Sequence, residues 1–180
     1  VIEAVDEYPE LLRESAANPG NDHRLGANEA PPAIISMFLG EQLTEILKQI
    51  EIGGKDKVKG ITNMSIGVST LPILFKDATD RNRTSPFAFT GNKFEFRMPP
   101  SSGSIAGPNF IINTMVADVL RNYADRLEKA ENVDEEVNTI IADVVKNHGK
   151  IIFNGNGYSD AWVEEAKRRG LPNIKTTVEA

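Results

Sequence analysis

Residues 86–98, PFAFTGNKFEFRM, have the pattern of two short strands joined by a turn. Phenylalanines alternate with other residues on both arms, and a period of two is typical of strands with one buried face. Thr90-Gly91-Asn92 between the arms is a typical turn sequence. The stretch therefore predicts a β-hairpin, and we expect Phe94 and Phe96 to face the core.

The second arm of this hairpin carries three charged residues, Lys93, Glu95 and Arg97. Residues two apart on a strand share a face, so these side chains should emerge together, opposite the phenylalanines. A carboxylate there can bind Mg²⁺ or Mn²⁺, while the cations can hold phosphate oxygens or a substrate carboxylate. The alternative is a solvated strand face with ion pairs along the strand. The pentapeptide alone leaves both interpretations open.

Two polar segments upstream can contribute to the same site. Arg83 lies in a polar turn just before the hairpin, where it can clamp a phosphoryl group or occupy an ordinary surface turn. The Gly- and Pro-rich residues 18–32 hold Arg24 and Glu29, five positions apart. A loop carboxylate can act as a general base, although a hinge or interface loop has the same composition. His23 is a possible metal ligand or base, but a structural role is favoured because no second histidine is near in sequence.

The rest of the chain reads mainly as helix. Apolar spacing and capping residues predict helices over 1–17 with a start or kink near Pro9, over 41–51, over 108–130, from an Asp134 cap to Gly149, and from a Ser159 cap to Gly170. The other segments are a short strand over 33–39, an irregular, partly buried insertion at 55–80, and a plain turn at 154–157, which lacks the lysine of a phosphate loop.

Composition excludes several classes of function. The 180 residues carry 20 basic and 26 acidic side chains, and the net charge of −6 argues against general nucleic-acid binding. The absence of cysteine excludes disulfides and thiolate metal sites, and it fits a cytoplasmic protein. No apolar run approaches the ~18 residues of a membrane span. The start at Val1, without a signal peptide or a methionine, suggests a piece of a longer chain.

Together the polar segments resemble a known family. Residues 24–31 (RLGANEAP), 82–85 (NRTS) and 93–99 (KFEFRMP) are similar to the later part of the glutamine synthetase catalytic domain, most closely in the long type III form. The resemblance implies an incomplete α+β domain in which antiparallel strands of a catalytic barrel precede C-terminal helices. It divides the chain into a catalytic part, 1–131, and a helical segment, 132–180. Within the first part it implies a flap loop at 18–32, an insertion at 33–80, the active-site hairpin at 86–98 and a helix at 108–130.

The resemblance also implies an activity, the ATP-dependent ligation of ammonia to L-glutamate through γ-glutamyl phosphate. The implied roles are a general base for Glu29, glutamate contacts for Arg24 and Arg97, nucleotide phosphate contacts for Arg83 and Lys93, with a catalytic role for Arg24 and Arg83 as well, and a Mg²⁺ or Mn²⁺ ligand for Glu95. The family forms its sites between neighbouring subunits of homo-oligomeric rings. We expect the remaining metal ligands upstream of Val1, so this segment alone should be inactive.

One departure from the family concerns Ala88, which stands where shorter members often carry a second arginine. A phosphate contact is therefore absent or comes from elsewhere. Two other interpretations remain: a non-catalytic interaction domain, and a related ATP-dependent carboxylate–amine ligase with another substrate.

Overall fold

A computed structural model describes residues 1–27, 30–52, 63–64, 74–75 and 84–180. Its elements show an α+β protein with a small three-stranded sheet and several helices, as predicted. The predicted irregular insertion at 55–80 lies outside the described residues, apart from a two-stranded antiparallel pair.

The N-terminal helical region is divided into three helices: α1 (Ile2–Glu7), α2 (Pro9–Ser15) and α3 (Pro19–Asp22). The helix predicted over 1–17 is divided at Pro9, where the sequence predicts a start or a kink. Pro9 occupies the first turn of α2, where its missing N–H costs no intrahelical hydrogen bond. The Asn18 side chain caps α3 by accepting a hydrogen bond from the Gly20 N–H at 2.8 Å. The segment predicted as a flap loop thus begins with a short capped helix.

The sheet combines one local and one long-range strand pair. Its strands are β1 (Met37–Phe38), β4 (Phe87–Phe89) and β5 (Phe94–Phe96), in the order β1-β4-β5. β4 and β5 form the predicted hairpin, closed by a hydrogen bond from the Thr90 N–H to the Lys93 carbonyl at 2.9 Å. β1 pairs with β4 in parallel, so the expectation of antiparallel strands alone is wrong. Between them along the chain are α4 (Glu41–Glu51), β2 (Asn63–Met64) and β3 (Leu74–Phe75). Closure of the sheet into a barrel stays a prediction.

Three helices follow the sheet: α5 (Ala106–Glu128), α6 (Val133–His148) and α7 (Asp160–Arg168). Asn132, not Asp134, caps α6, because its side chain accepts hydrogen bonds from two N–H groups of the first turn. Ser159 caps α7 as predicted, with its hydroxyl 3.2 Å from the Trp162 nitrogen. Gly170, at φ 71°, follows the end of α7 in the left-handed conformation that favours glycine.

The core lies between the N-terminal helices, the sheet, α5 and α7. Trp162 is buried at its centre and stacks on Phe153, with ring centroids 3.7 Å apart and an interplanar angle of 10°. On α5, Ile111, Met115 and Val119 are buried, whereas Leu120 is 58% exposed. Among the described residues, no helix is long and apolar enough to cross a membrane.

Candidate functional site

The charged face of β5 is arranged around one carboxylate. Arg97 Nε and Nη2 lie 3.1 and 3.0 Å from Oε2 of Glu95, and Lys93 Nζ lies 3.4 Å from Oε1. The hydrogen bonds from Arg97 hold the pKa of Glu95 below its ordinary value and, together with Lys93, outweigh the opposing effect of partial burial. Glu95 is therefore a carboxylate anion at neutral pH. The structure brings the three predicted residues together, and it also contains the ion pairs of the alternative interpretation.

Exposure differs along this face. The side chain of Arg97 is 19% exposed, that of Glu95 36% and that of Lys93 65%, so the enclosure increases away from the hairpin turn. An ion pair this open to water is worth about 1 kcal/mol or less. Glu95 and Arg97 can therefore leave each other for a cation and an anionic ligand at small cost.

The opposite face of the hairpin is a phenylalanine cluster. Phe87 is buried and lies 5.7 Å from Phe96 and 5.9 Å from Phe94, measured between ring centroids. Phe96 packs on the core as predicted, but Phe94 is 38% exposed. Phe94 is the first residue of β5 and lies next to the hairpin turn. Phe94 therefore lies on the predicted face of the hairpin, but the prediction that it is buried in the core is wrong.

Ala88 pairs directly with Glu95 across the two strands. Residues opposed in this way place their side chains on the same face, about 5 Å apart. Ala88 is fully buried although Glu95 is not. The position at which short family members often carry a second arginine thus lies beside the carboxylate and is filled by a methyl group.

Arg24 reaches the end of the same strand from the N-terminal region. Its Nη1 donates to the carbonyl of Met98 at 3.0 Å and to Oδ1 of Asn21 at 2.8 Å. Met98 directly follows Arg97 in the chain. The structure therefore joins two of the polar segments, which are more than 70 residues apart in sequence.

Glu29 and Arg83 lie outside the described residues, but their neighbours are firmly held. Before Glu29, the Gly26 N–H donates to the Pro31 carbonyl at 3.0 Å, and after it the Tyr158 hydroxyl donates to the Ala30 carbonyl at 2.9 Å. Gly26 has φ 77°, which an alanine would adopt only with strain. A local hydrogen bond thus spans the loop around Glu29, and Tyr158 ties the loop to the C-terminal part of the chain.

A second polar cluster joins α1 to the C-terminal helices. Glu3, Glu7 and His148 place their ligand atoms within 4.8 Å of one another, the one such group in the part of the chain that the structure describes. Burial and a hydrogen bond to Glu3 raise the pKa of Tyr123, and His148 Nδ1 lies 2.9 Å from Asp6 Oδ2. Since these groups bind one another between helices, we assign them a structural role.

Two other sequence candidates have plain structural explanations. His23 ends α3 and is exposed. Asn154 accepts hydrogen bonds from the N–H groups of Leu39 and Gly40 and donates to the Thr44 hydroxyl, so its side chain has structural partners. Sequence reasoning missed Asn21, a buried amide beside Arg24. Its position in a Gly- and Pro-rich segment looks like an ordinary turn residue, so no periodic signal marks it.

Comparison with known proteins agrees with the motif resemblance. Residues 136–180 match the family model described as the glutamine synthetase C-terminal domain. The type-3 glutamine synthetase of Dictyostelium discoideum is 49% identical over 183 residues, which cover 100% of this chain and 25% of that protein. A glutamine synthetase of Butyrivibrio fibrisolvens is 47% identical over 178 residues, covering 97% of this chain and 25% of its own length. One from Bacteroides fragilis is 44% identical over 188 residues, covering 100% and 26%. The chain thus spans about a quarter of the length of the curated relatives that it matches.

Proposed function

We propose that this chain supplies part of a glutamine-forming active site. Over its whole length it is similar to part of a type-3 glutamine synthetase. The reaction joins ammonia to the γ-carboxyl group of L-glutamate and cleaves ATP to ADP and phosphate. The observation that carries the proposal is the meeting of Arg24 with the end of β5, whose exposed face presents Glu95 and Arg97.

The two arginines suit the substrate. L-Glutamate carries two carboxylates, and a planar guanidinium binds a carboxylate through two parallel hydrogen bonds. Arg24 and Arg97 approach the same strand end from different parts of the chain. In our proposal they contact glutamate and fix its γ-carboxylate for reaction.

Glu95 can supply one ligand to a hard cation. Its lowered pKa keeps it anionic, and carboxylate oxygens are the ligands that Mg²⁺ and Mn²⁺ prefer. Mg²⁺ takes about six ligands, and within the described ranges Glu95 belongs to no group of three potential metal-binding side chains. We therefore propose that Glu95 is one ligand and that the others come from the rest of the protein. When bound, the cation would neutralise charge on the ATP phosphates.

The remaining residues act on phosphate and ammonia. A γ-carboxylate oxygen of glutamate attacks the γ-phosphorus of ATP, ADP departs, and Arg83 and Lys93 stabilise the charge on the phosphate oxygens. Ammonium then loses a proton to Glu29, ammonia attacks the carbonyl carbon of γ-glutamyl phosphate, and phosphate departs. Two anchored ends at Gly26 and Ala30 suit a short flap that excludes water from this intermediate.

The complete site requires more chain than these 180 residues. We propose that it forms in a cytoplasmic homo-oligomeric ring, in which the rest of the same polypeptide and a neighbouring subunit complete the ligand contacts. A non-catalytic interaction domain would have no need for charged groups collected at one strand end.

The test is a substrate panel on the complete protein that contains this chain. We expect ATP cleavage to depend on L-glutamate and ammonia together, with glutamine as product. Turnover with another amino acid or amine, but not with glutamate and ammonia, would establish the related ligase instead. No ATP-dependent ligation with any substrate would favour the interaction domain.

A further inference from the structure

Asn21 is a buried amide whose hydrogen bonds connect three parts of the chain. It is 1% exposed, and its Nδ2 donates to the carbonyls of Ala16 at 2.8 Å and Met98 at 3.2 Å. Its Oδ1 accepts the 2.8 Å hydrogen bond from Arg24 Nη1. One side chain thus joins the end of α2, the end of β5 and the guanidinium of Arg24.

This arrangement uses only one nitrogen of the Arg24 guanidinium. Among the described residues, the hydrogen bonds of its guanidinium all leave from Nη1. The Nε–Nη2 edge therefore remains for a ligand, and this edge is one of those with which arginine binds carboxylates through two hydrogen bonds. A guanidinium held by one nitrogen at a buried amide loses less side-chain freedom when it binds a substrate.

The next residue, Asp22, ties the same short helix to the C-terminal segment. Arg13 is completely buried and donates from Nη2 to Asp22 Oδ1 and from Nε to the Ile174 carbonyl, both at 2.7 Å. Asp22 Oδ2 accepts the Thr177 N–H at 2.7 Å. Burial raises the pKa of Asp22, but the hydrogen bonds from Thr177 and Arg13 outweigh it and lower the pKa overall. The helix that carries Asn21 is therefore fixed on both sides.

We propose that Asn21 is a positioning residue for substrate binding: it holds Arg24 so that its free edge meets a carboxylate of glutamate, and the Arg13–Asp22 ion pair holds Asn21 in place through the C-terminal segment. The inference rests on the proposed function. It assigns no contact with substrate to Asn21 itself, whose effect acts through Arg24.

The experiment is a double-mutant cycle in the complete protein with Asn21→Ala, Arg24→Ala and both together. Asn21→Ala should raise the glutamate KM by about tenfold or more, the scale of a lost hydrogen bond to a charged group. The ATP KM and kcat should change by no more than about twofold. In the Arg24→Ala background, Asn21→Ala should add less than about twofold, because its only partner in binding is gone. For variants too slow to assay, calorimetric glutamate binding supplies Kd in place of KM.

The matched control is Leu12→Ala, which truncates a fully buried residue of the neighbouring helix α2 outside this network. It should lower the melting temperature at least as much as Asn21→Ala and leave the glutamate KM within about twofold. If Asn21→Ala does not fold, Asp22→Asn replaces it, and we expect a glutamate KM increase of about threefold that also disappears without Arg24.

The inference would be overturned if Asn21→Ala and Leu12→Ala raised the glutamate KM equally. It would also be overturned if Asn21→Ala raised the glutamate KM as much in the Arg24→Ala background as in the wild type. Wild-type protein that makes no glutamine would overturn the proposed function itself. If the wild type is active but Asn21→Ala changes the glutamate KM, the ATP KM and kcat alike, only the positioning role would be overturned.

Discussion

Glu95 and Arg97 form an ion pair on one strand face, yet we expect substitution in the complete protein to separate their roles. Glu95→Gln preserves size but removes the charge that a hard cation requires. The Mg²⁺ or Mn²⁺ concentration for half-maximal glutamine formation should rise by about tenfold or more, since even supporting groups of metal sites contribute 10–100-fold. The glutamate KM should stay within about threefold, because Glu95 binds no substrate carboxylate.

Arg97→Lys should have the opposite selectivity. Lysine keeps the charge but loses the planar fork that binds a carboxylate, so the glutamate KM should rise about tenfold. Without the hydrogen bonds from Arg97, the pKa of Glu95 returns towards its ordinary value. At pH 7 the carboxylate is ionised in either case. The metal requirement should therefore change little.

The exposure of the pair bounds the effect of either substitution on folding. The carboxylate is 36% exposed, so solvent screening keeps the pair below about 1 kcal/mol. Thermal melts should accordingly change little in both variants, while metal and glutamate titrations show the selective effects. If both variants melt early and neither titration shifts selectively, β5 is a structural strand and its charged face does not belong to the active site.

Three further outcomes are expected. Glu29→Ala in the complete protein should lower kcat by about 10² or more, as for loss of a positioned base, with little change in ATP Kd; turnover retained within a few fold would make Glu29 a hinge residue. Gly157→Ala should destabilise the fold by about 1–3 kcal/mol, because the added Cβ would lie 2.6 Å from the Thr84 carbonyl oxygen. In the control Gly149→Ala, the added Cβ meets nothing within 4 Å. Equal denaturation midpoints for the two variants would contradict this expectation. Hydrogen bonds from two neighbouring arginines lower the pKa of Glu165 from 4.5 to about 2. Its stabilisation should be complete above the ordinary pKa and disappear as the pH falls towards 2, so melts of Glu165→Gln and wild type should converge there.

The elements that could be predicted from the sequence are those specified by adjacent residues. α4 has the predicted bounds, and the Ser159 cap and the glycine after α7 are where the capping rules place them. The hairpin at 86–98 followed from a period of two on both arms. Each of these signals is local, because a cap or a turn is satisfied by groups a few residues away.

The predictions that failed concern strand pairing and burial, which depend on residues far away in the sequence. The parallel pairing of Met37 with Phe87 joins residues separated by 50 positions, and nothing in either segment specifies the direction of that pairing. Leu120 has the helical spacing of the apolar face of α5, yet it is 58% exposed. Helical periodicity identifies an apolar face but does not show how much of that face is covered.

The shared strand face of Glu95 and Arg97 could be predicted from the sequence, whereas the contacts that hold Arg24 could not. The alternation of charge along β5 placed Glu95 and Arg97 on one face correctly. No sequence signal joined Arg24 to Met98, or Arg13 to the carbonyl of Ile174, since both contacts depend on tertiary packing. Arg13 lies in a helix with the composition of an exposed surface, yet it is completely buried. Buried polar residues with long-range partners are therefore the part of a site that only the structure reveals.

The central claim is that these residues form part, but not all, of a glutamine-forming site. Its most direct test is the ATP-dependent incorporation of labelled ammonia into glutamine, measured side by side for the complete protein and for residues 1–180 alone at equal concentration. We predict glutamine from the complete protein and none from residues 1–180, because one carboxylate cannot by itself hold the divalent cation that the proposed reaction needs. Glutamine formed by residues 1–180 alone, or none formed by the complete protein, would contradict the account.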